Sequence, residues 1–303
     1  TGETMAEVVR RVREAGGIIV GHIILKDMTV PGFGRIPTVI LDYNPLEYAM
    51  NKGDMVPALN KMTVVGANLT ISRNKSGRWN ISSLVEPSGD KPAAPPPFHG
   101  QIIITNCQAN YLDEVGFHPA PQNFSAMLKE INGVIDLRKK NKGKFLITAQ
   151  APESLKVRGN FDMKSGKYLV TVTGKDLSID KWGNYVAPLP APKALSGKAD
   201  IDIKLSPAGI EGDARVYNGK IYGQAVAGPV SFTFQDSELT ATSPAVDLYR
   251  GSASARVVLS FKGKMIRLKS SAKLSGIDLA ALAQNAPGIE GRAGGLLELS
   301  GPL

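Results

Sequence analysis

Residues able to do chemistry are scarce in this chain. Three histidines (His22, His99 and His118) and one cysteine, Cys107, stand among 303 residues. No histidine has a partner four positions away, the spacing that would put two imidazoles on one helix face around a metal. A single cysteine makes no internal disulfide and no cysteine-based zinc site. Cys107, flanked by Asn106 and Gln108 on strand-like sequence, reads as a packed thiol. Asp113 and Glu114 are adjacent, whereas Asp200 with Asp202, and Glu211 with Asp213, are two apart. On a strand that last spacing marks one polar face and not an acid–base dyad. Neither a phosphate-cradling glycine loop followed by Lys-Ser/Thr nor a dinucleotide fingerprint occurs. The sequence therefore points to no enzyme, no metal and no cofactor.

The densest basic run is Arg138-Lys139-Lys140-Asn141-Lys142-Gly143-Lys144. Such a run can contact phosphate, on nucleic acid or on lipid headgroups. It also fits a solvated hairpin turn between strands ending at Leu137 and starting at Phe145, which is preferred because Asn and Gly sit where a turn needs them. Aromatic residues do not interleave with it, so a base-stacking platform is unsupported. Nucleic acid is not an expected partner, although a net charge of +9 favours an anionic neighbour of some kind.

The elements that must position any site are strands. With 43% hydrophobic and 21% charged residues the composition is globular, and 32 glycines with 20 prolines suit many short strands joined by turns. Residues 198–205 put Ala199, Ile201, Ile203 and Leu205 on one face against Lys198, Asp200, Asp202 and Lys204. Ala253, Ala255, Val257, Leu259 and Phe261 repeat the pattern, and Ile266, Leu268, Ala272 and Leu274 continue it after a turn at Lys262-Gly263-Lys264. Earlier strands are expected over 18–30, 38–43 and 61–79. Short helices are expected over 4–15, 45–52, 178–185 and 279–284, and no segment has the roughly 20 apolar residues of a membrane-spanning helix. Five prolines in 86–100 exclude a central strand and suggest an exposed linker or crossover. Asp176-Leu177 resembles Asp278-Leu279 about one hundred residues later, each ahead of a glycine-led strand, which suggests stacked units. The expected organisation is a first unit over 1–86, a linker over 87–100, and further units over 101–206 and 207–303. A start at Thr1 and an end on Ser300-Gly301-Pro302-Leu303 suggest a stretch of a longer array.

Residues 61–84 resemble the AsmA-like and TamB families. Val64-Val65-Gly66-Ala67-Asn68-Leu69-Thr70-Ile71 is similar to a strand of those families that precedes a polar turn and a Gly-x-Trp-Asn signature, present as Gly77-Arg78-Trp79-Asn80. Upstream, Val39-Ile40-Leu41-Asp42-Tyr43-Asn44-Pro45-Leu46-Glu47 looks like their strand and Pro-Leu-Glu helix start. Leu248-Tyr249-Arg250-Gly251-Ser252-Ala253 resembles their later strand pairs, and Leu297-Glu298-Leu299-Ser300-Gly301-Pro302-Leu303 their recurring strand ending. Asn74-Lys75 departs from the acidic residues often found in that turn, and Trp79 reads as a packing anchor.

The resemblance implies an elongated antiparallel β-groove, a sheet curled like a gutter, in the periplasm of a two-membrane bacterium, with the full-length protein anchored in the inner membrane. It implies a non-enzymatic lipid conduit that moves phospholipid between inner and outer membranes. The alternative is a scaffold for outer-membrane protein assembly, with a barrel protein of the Omp85 type as partner. The candidate groove lining is Ala199, Ile201, Ile203, Leu205, Ala253, Ala255, Val257, Leu259, Ile266 and Leu268. Alternation alone fits a closed β-sandwich or β-solenoid equally well, because the apolar face can be covered by acyl chains or by another sheet. An enzyme or carbohydrate-binding solenoid would need a polar, aromatic-lined cleft.

Overall fold

The computed structural model describes residues 20–80, 98–115, 124–150, 153–183, 195–221, 224–262, 267–282 and 290–302. The expected helix over 4–15, most of the proline-rich segment and Ile266 lie outside them. Sixteen strands form one sheet. The first eight are β1 (Gly21–Val30), β2 (Gly34–Tyr43), β3 (Leu59–Val65), β4 (Asn68–Arg73), β5 (Gln101–Asp113), β6 (Phe124–Lys139), β7 (Lys142–Ala149) and β8 (Ser154–Asp162). The rest are β9 (Lys167–Ser178), β10 (Leu195–Ser206), β11 (Gly209–Ile221), β12 (Gln224–Gln235), β13 (Glu238–Leu248), β14 (Gly251–Ser260), β15 (Arg267–Asp278) and β16 (Arg292–Pro302). From β5 to β16 each strand pairs antiparallel with the next in sequence, and β1 and β16 are the two edges. The architecture is all-β, elongated and open. At about 4.8 Å per strand, the path of fifteen strands runs roughly 65–70 Å.

One place breaks the meander. The expected strand over 61–79 is instead β3 and β4, laid end to end between β2 and β5, and both pair with β5 in parallel. Gly66, at φ +68°, makes the step between them, and its N–H donates to Thr105 O while Gln108 N–H donates to Ala67 O. Parallel neighbours need a crossover, and here the connection contains the proline-rich residues. The sheet therefore continues from β3 through β5.

Local chemistry explains the remaining elements. Helix α1 (Pro45–Met50) starts where Asn44 Oδ1 accepts the N–H groups of Leu46 and Glu47 at 3.0 and 3.4 Å, with Pro45 in its first turn. A second turn, α2 (Met55–Ala58), is capped by Asp54 and follows where the sequence suggested an end. The helix expected over 178–185 is a single π-helical turn at Ile179–Gly183, and the one expected over 279–284 is described as α3 (Leu279–Leu282), opened by Asp278. The basic run is a hairpin turn, but tighter than expected: β6 continues to Lys139 and β7 starts at Lys142. Asn141, at φ +59°, accepts the left-handed conformation that a two-residue turn demands, so both strands extend past Leu137 and before Phe145.

Candidate functional site

Partners in a β-ladder place their side chains on the same face, so the register can be followed across the molecule. One row reads Ile23, Leu41, Met62, Ile102, Ile135, Phe145, Gly159, Val170, Leu205, Ile210, Phe234, Leu239, Leu259, Leu268 and Gly301. No polar side chain interrupts it from β1 to β16. The neighbouring row runs from Leu25 through Val64, Val157 and Ile203 to Val257 and Leu299, and is polar only at Ser270.

The lining residues read from sequence fall on this face. Leu205, Leu259 and Leu268 lie in the first row, and Ile203 and Val257 in the second. Ile201 sits across from Ala214 and Gly174, and Ala255 across from Ser243 and Ala272. Ala199 pairs with Leu177 and Val216, and Ala253 with Val246 and Leu274. Ile266 falls outside the described residues. On β1 to β7 alternation does not single out a lining, because Ile23-Ile24-Leu25 and Ile102-Ile103-Ile104 are apolar on both faces.

The face is concave. Adjacent residues of like size on one strand differ in exposure: Ile24 is 58% exposed while Ile23 and Leu25 are half-buried, and Leu146 is 42% exposed between half-buried Phe145 and Ile147. Curling toward one face crowds its side chains and splays those opposite. The large apolar residues of the two rows are nevertheless half-buried or exposed, apart from Val39, and no second sheet covers them among the described residues. The convex face is apolar at Ile24, Ile103, Val134 and Leu146 and is mainly polar from Arg158 onward, Leu169 and Val258 being exceptions.

The curl has a local cause. Where β5 pairs β6 near Cys107, the register slips once on each strand, at Asn106 and Glu130, both with positive φ. Single extra residues recur in β9 at Asp176, in β11 at Asn218 and in β15 at Gly276, all with positive φ. Bulges bend and twist a strand, and these fall along one line near one long rim. Polar side chains hold the groups so displaced. Asn132 Oδ1 accepts the Asn106 N–H at 2.9 Å and its Nδ2 donates to Glu130 O at 2.9 Å. Asp200 Oδ1 accepts the Asp176 N–H at 3.0 Å, and the Tyr217 hydroxyl lies 2.6 Å from Asp176 and 3.1 Å from Asp200. The two carboxylates push the Tyr217 pKa upward, the hydrogen bond to Asp176 being the largest cause.

The rims differ chemically. On the bulged rim, Trp79, Tyr111, Phe124 and Trp182 follow one another with ring centroids 5.9, 6.1 and 5.1 Å apart. The Gly-x-Trp-Asn turn is a clasp there: Asn80 Oδ1 accepts the Ser72 N–H, and its Nδ2 donates to Thr70 O and Gly32 O. Arg73 lies 5.4 Å over the Trp79 ring and makes a two-pronged pair with Asp113 at 2.9 and 2.7 Å. Trp182 Nε1 donates to the buried Glu153 at 2.7 Å. The opposite rim is basic around the β6–β7 and β8–β9 tips, where the Arg138 guanidinium holds the Asp136 carboxyl well below the usual carboxylate range. Asp42 lies on the same rim, bonded to His22 at 2.6 Å and to Lys61 at 2.5 Å.

Among the described residues no three His, Cys, Asp or Glu side chains converge as a metal site, and no helix is long and apolar enough to cross a membrane. Cys107 is buried and its thiol faces Val64 O and Thr105 O. What the arrangement offers is an apolar trough about fifteen strands long, with one aromatic and one partly basic rim. No protein-family model matches the chain, and no curated protein sequence matches it.

Proposed function

We propose that this chain is a non-enzymatic segment of a lipid conduit, carrying phospholipid acyl chains along its concave face between the inner and outer membranes of a diderm bacterium. The observation that carries the reading is the apolar row that crosses the whole sheet yet leaves its large side chains half-buried or exposed. A face of this size left in water is costly, and an acyl chain is a fitting cover. At about 0.8 kcal/mol per buried methylene, a sixteen-carbon chain crossing water would cost on the order of 12 kcal/mol. A continuous trough offsets that cost at every point of the path. The resemblance of residues 61–84 to AsmA-like and TamB proteins supports the same reading and a periplasmic setting.

The test is mass spectrometry of lipid extracted from the purified protein, joined to crosslinking of a photoactivatable phospholipid. Phospholipid should co-purify, and adducts should map to Ile203, Leu205, Val257 or Leu268. A lipid-free protein whose adducts scatter over the convex face would rule the conduit out. A second reading, a scaffold for outer-membrane barrel proteins, draws support from the β16 edge, where Leu296, Leu297 and Leu299 are 68%, 51% and 52% exposed. Such an edge can template an added strand, and specific capture of a barrel protein through β16 would favour it.

A further inference from the structure

The hairpins β6–β7 and β8–β9 end side by side on the basic rim. Their tips are joined: Lys142 pairs with Asp162, and the Met163 N–H donates to Asn141 O at 2.8 Å. The first tip carries Arg138, Lys139, Lys140, Lys142 and Lys144, and the second Lys164 and Lys167. Against these seven cations stand two carboxylates, so five of the chain's nine surplus positive charges gather at this spot. Both carboxylates are engaged within the hairpins. Asp136 accepts the two-pronged bond of Arg138 at 3.0 and 2.7 Å, and Asp162 accepts the Lys164 and Ser165 N–H groups at 2.9 and 3.2 Å. A cavity of about 790 Å³ opens between the tips, walled by Lys142, Lys144, Lys167 and Leu169.

Apolar side chains accompany the charge. Met163, Tyr168 and Leu169 are 59%, 43% and 45% exposed at or beside the second tip. Of the neighbouring tips on this rim, β10–β11 and β12–β13 lack the combination, since they turn on Pro207-Ala208 and on Asp236-Ser237. Cations beside an exposed thioether and a phenol suit the boundary of a bilayer. Lysine and arginine meet the phosphates there, and amphipathic rings and apolar tips enter the headgroup layer.

We infer that the paired β6–β7 and β8–β9 tips dock on an anionic bilayer surface, with their cations on headgroup phosphates and Met163 and Tyr168 entering the headgroup layer. This contact is independent of what fills the trough. Co-sedimentation with phosphatidylglycerol–phosphatidylcholine vesicles tests it against vesicles of phosphatidylcholine alone. The protein should prefer the anionic vesicles, and the preference should fall as salt screens the charges. Each cation near an anionic surface contributes about fivefold in partitioning, so Lys139→Gln, Lys142→Gln and Lys167→Gln together should weaken binding about a hundredfold. Met163→Ser with Tyr168→Ser should weaken it without removing the salt dependence. Lys269→Gln with Lys273→Gln, on β15 away from the tips, should bind as the parent does. The lysine, methionine and tyrosine changes fall on exposed side chains, and circular dichroism melts check that every variant folds. Equal binding to neutral vesicles, or undiminished binding by the triple variant, would overturn the inference. So would full displacement by inorganic phosphate, which marks a small-anion site, or tighter binding to a single-stranded oligonucleotide. Loss of docking in Ile201→Glu with Ile203→Glu, but not in the tip variants, would assign the contact to the trough instead.

Discussion

Asp113 is 1% exposed, more enclosed than any other large side chain described, and it carries a charge. Arg73 meets it with both nitrogens and is itself packed against Trp79. Removing one partner of such a pair strands the other in a poorly solvated place, at about 3–5 kcal/mol. Asp113→Ala should therefore lower stability by that order in chemical denaturation. Arg73→Met with Asp113→Leu should recover a large part, and a double variant no better than the single would show that the pair is not the source. Asp42 gives a pH-dependent counterpart. Burial raises its pKa, but hydrogen bonds from Lys61 and His22 more than offset this, leaving it below the ordinary aspartate value. A carboxyl depressed on folding stabilises above its unfolded pKa, near about 3.9, and that stability is lost as pH falls through the folded value. Melting temperatures of the parent should thus fall faster than those of Asp42→Asn below about pH 4. Parallel acid limbs for the two proteins would sink the idea.

At β5–β6 and at β9 a side chain takes up the backbone groups that a bulge displaces, which makes these bulges testable. At β9–β11 the Tyr217 hydroxyl lies between Asp176 and Asp200, so Tyr217→Phe leaves two carboxylates facing each other without the phenolic proton. Hydrogen bonds to charged groups contribute about 1.5–3 kcal/mol, less where solvent reaches them. The variant should lose about 1–2 kcal/mol, with faster amide exchange at Asp176 than in the parent; unchanged exchange there would mean the hydroxyl does not hold the bulge. The crease also explains what could be read in advance. Residues 198–205 alternate without interruption and are legible as a half-buried strand whose apolar side chains share one face. Asp176 and Asn218 sit inside strands, where an aspartate or asparagine in the left-handed region shifts the phase by one residue and looks, in sequence, like a loss of period. The signal was their residue type, since both tolerate that conformation better than most. The step at Gly66 was hidden similarly: Val64 to Ile71 reads as one strand, and only the parallel approach of β5 makes it two. The run from Arg138 to Lys144 is legible as a hairpin turn but not as a two-residue one, because the left-handed Asn141 shortens it.

At the scale of the molecule, half-burial distinguishes an open trough from a closed core. Ile201 and Ile203 are half-buried on β10, in the middle of the sheet, with neighbours on both sides. In a closed sandwich, Ile201→Glu with Ile203→Glu would bury two unpaired charges, each costing several kcal/mol against a total stability of about 5–15 kcal/mol, and the protein would unfold. In an open trough the two carboxylates reach water and the fold survives. They would also place charge across a path that an acyl chain must follow, since Ile203 belongs to a row that spans the sheet. The expected outcome is a cooperative melt within a few degrees of the parent together with loss of phospholipid crosslinking at Val257 and Leu268. Asp200→Asn with Asp202→Asn, on the opposite face of the same strand, is the matched control for altered charge. It gives up the Asp200 bond to the Asp176 N–H and should cost some stability, but it should leave crosslinking unchanged. A melted double-glutamate protein would mean that the trough closes in solution. A folded one that crosslinks as the parent does would place the acyl path somewhere other than the concave face.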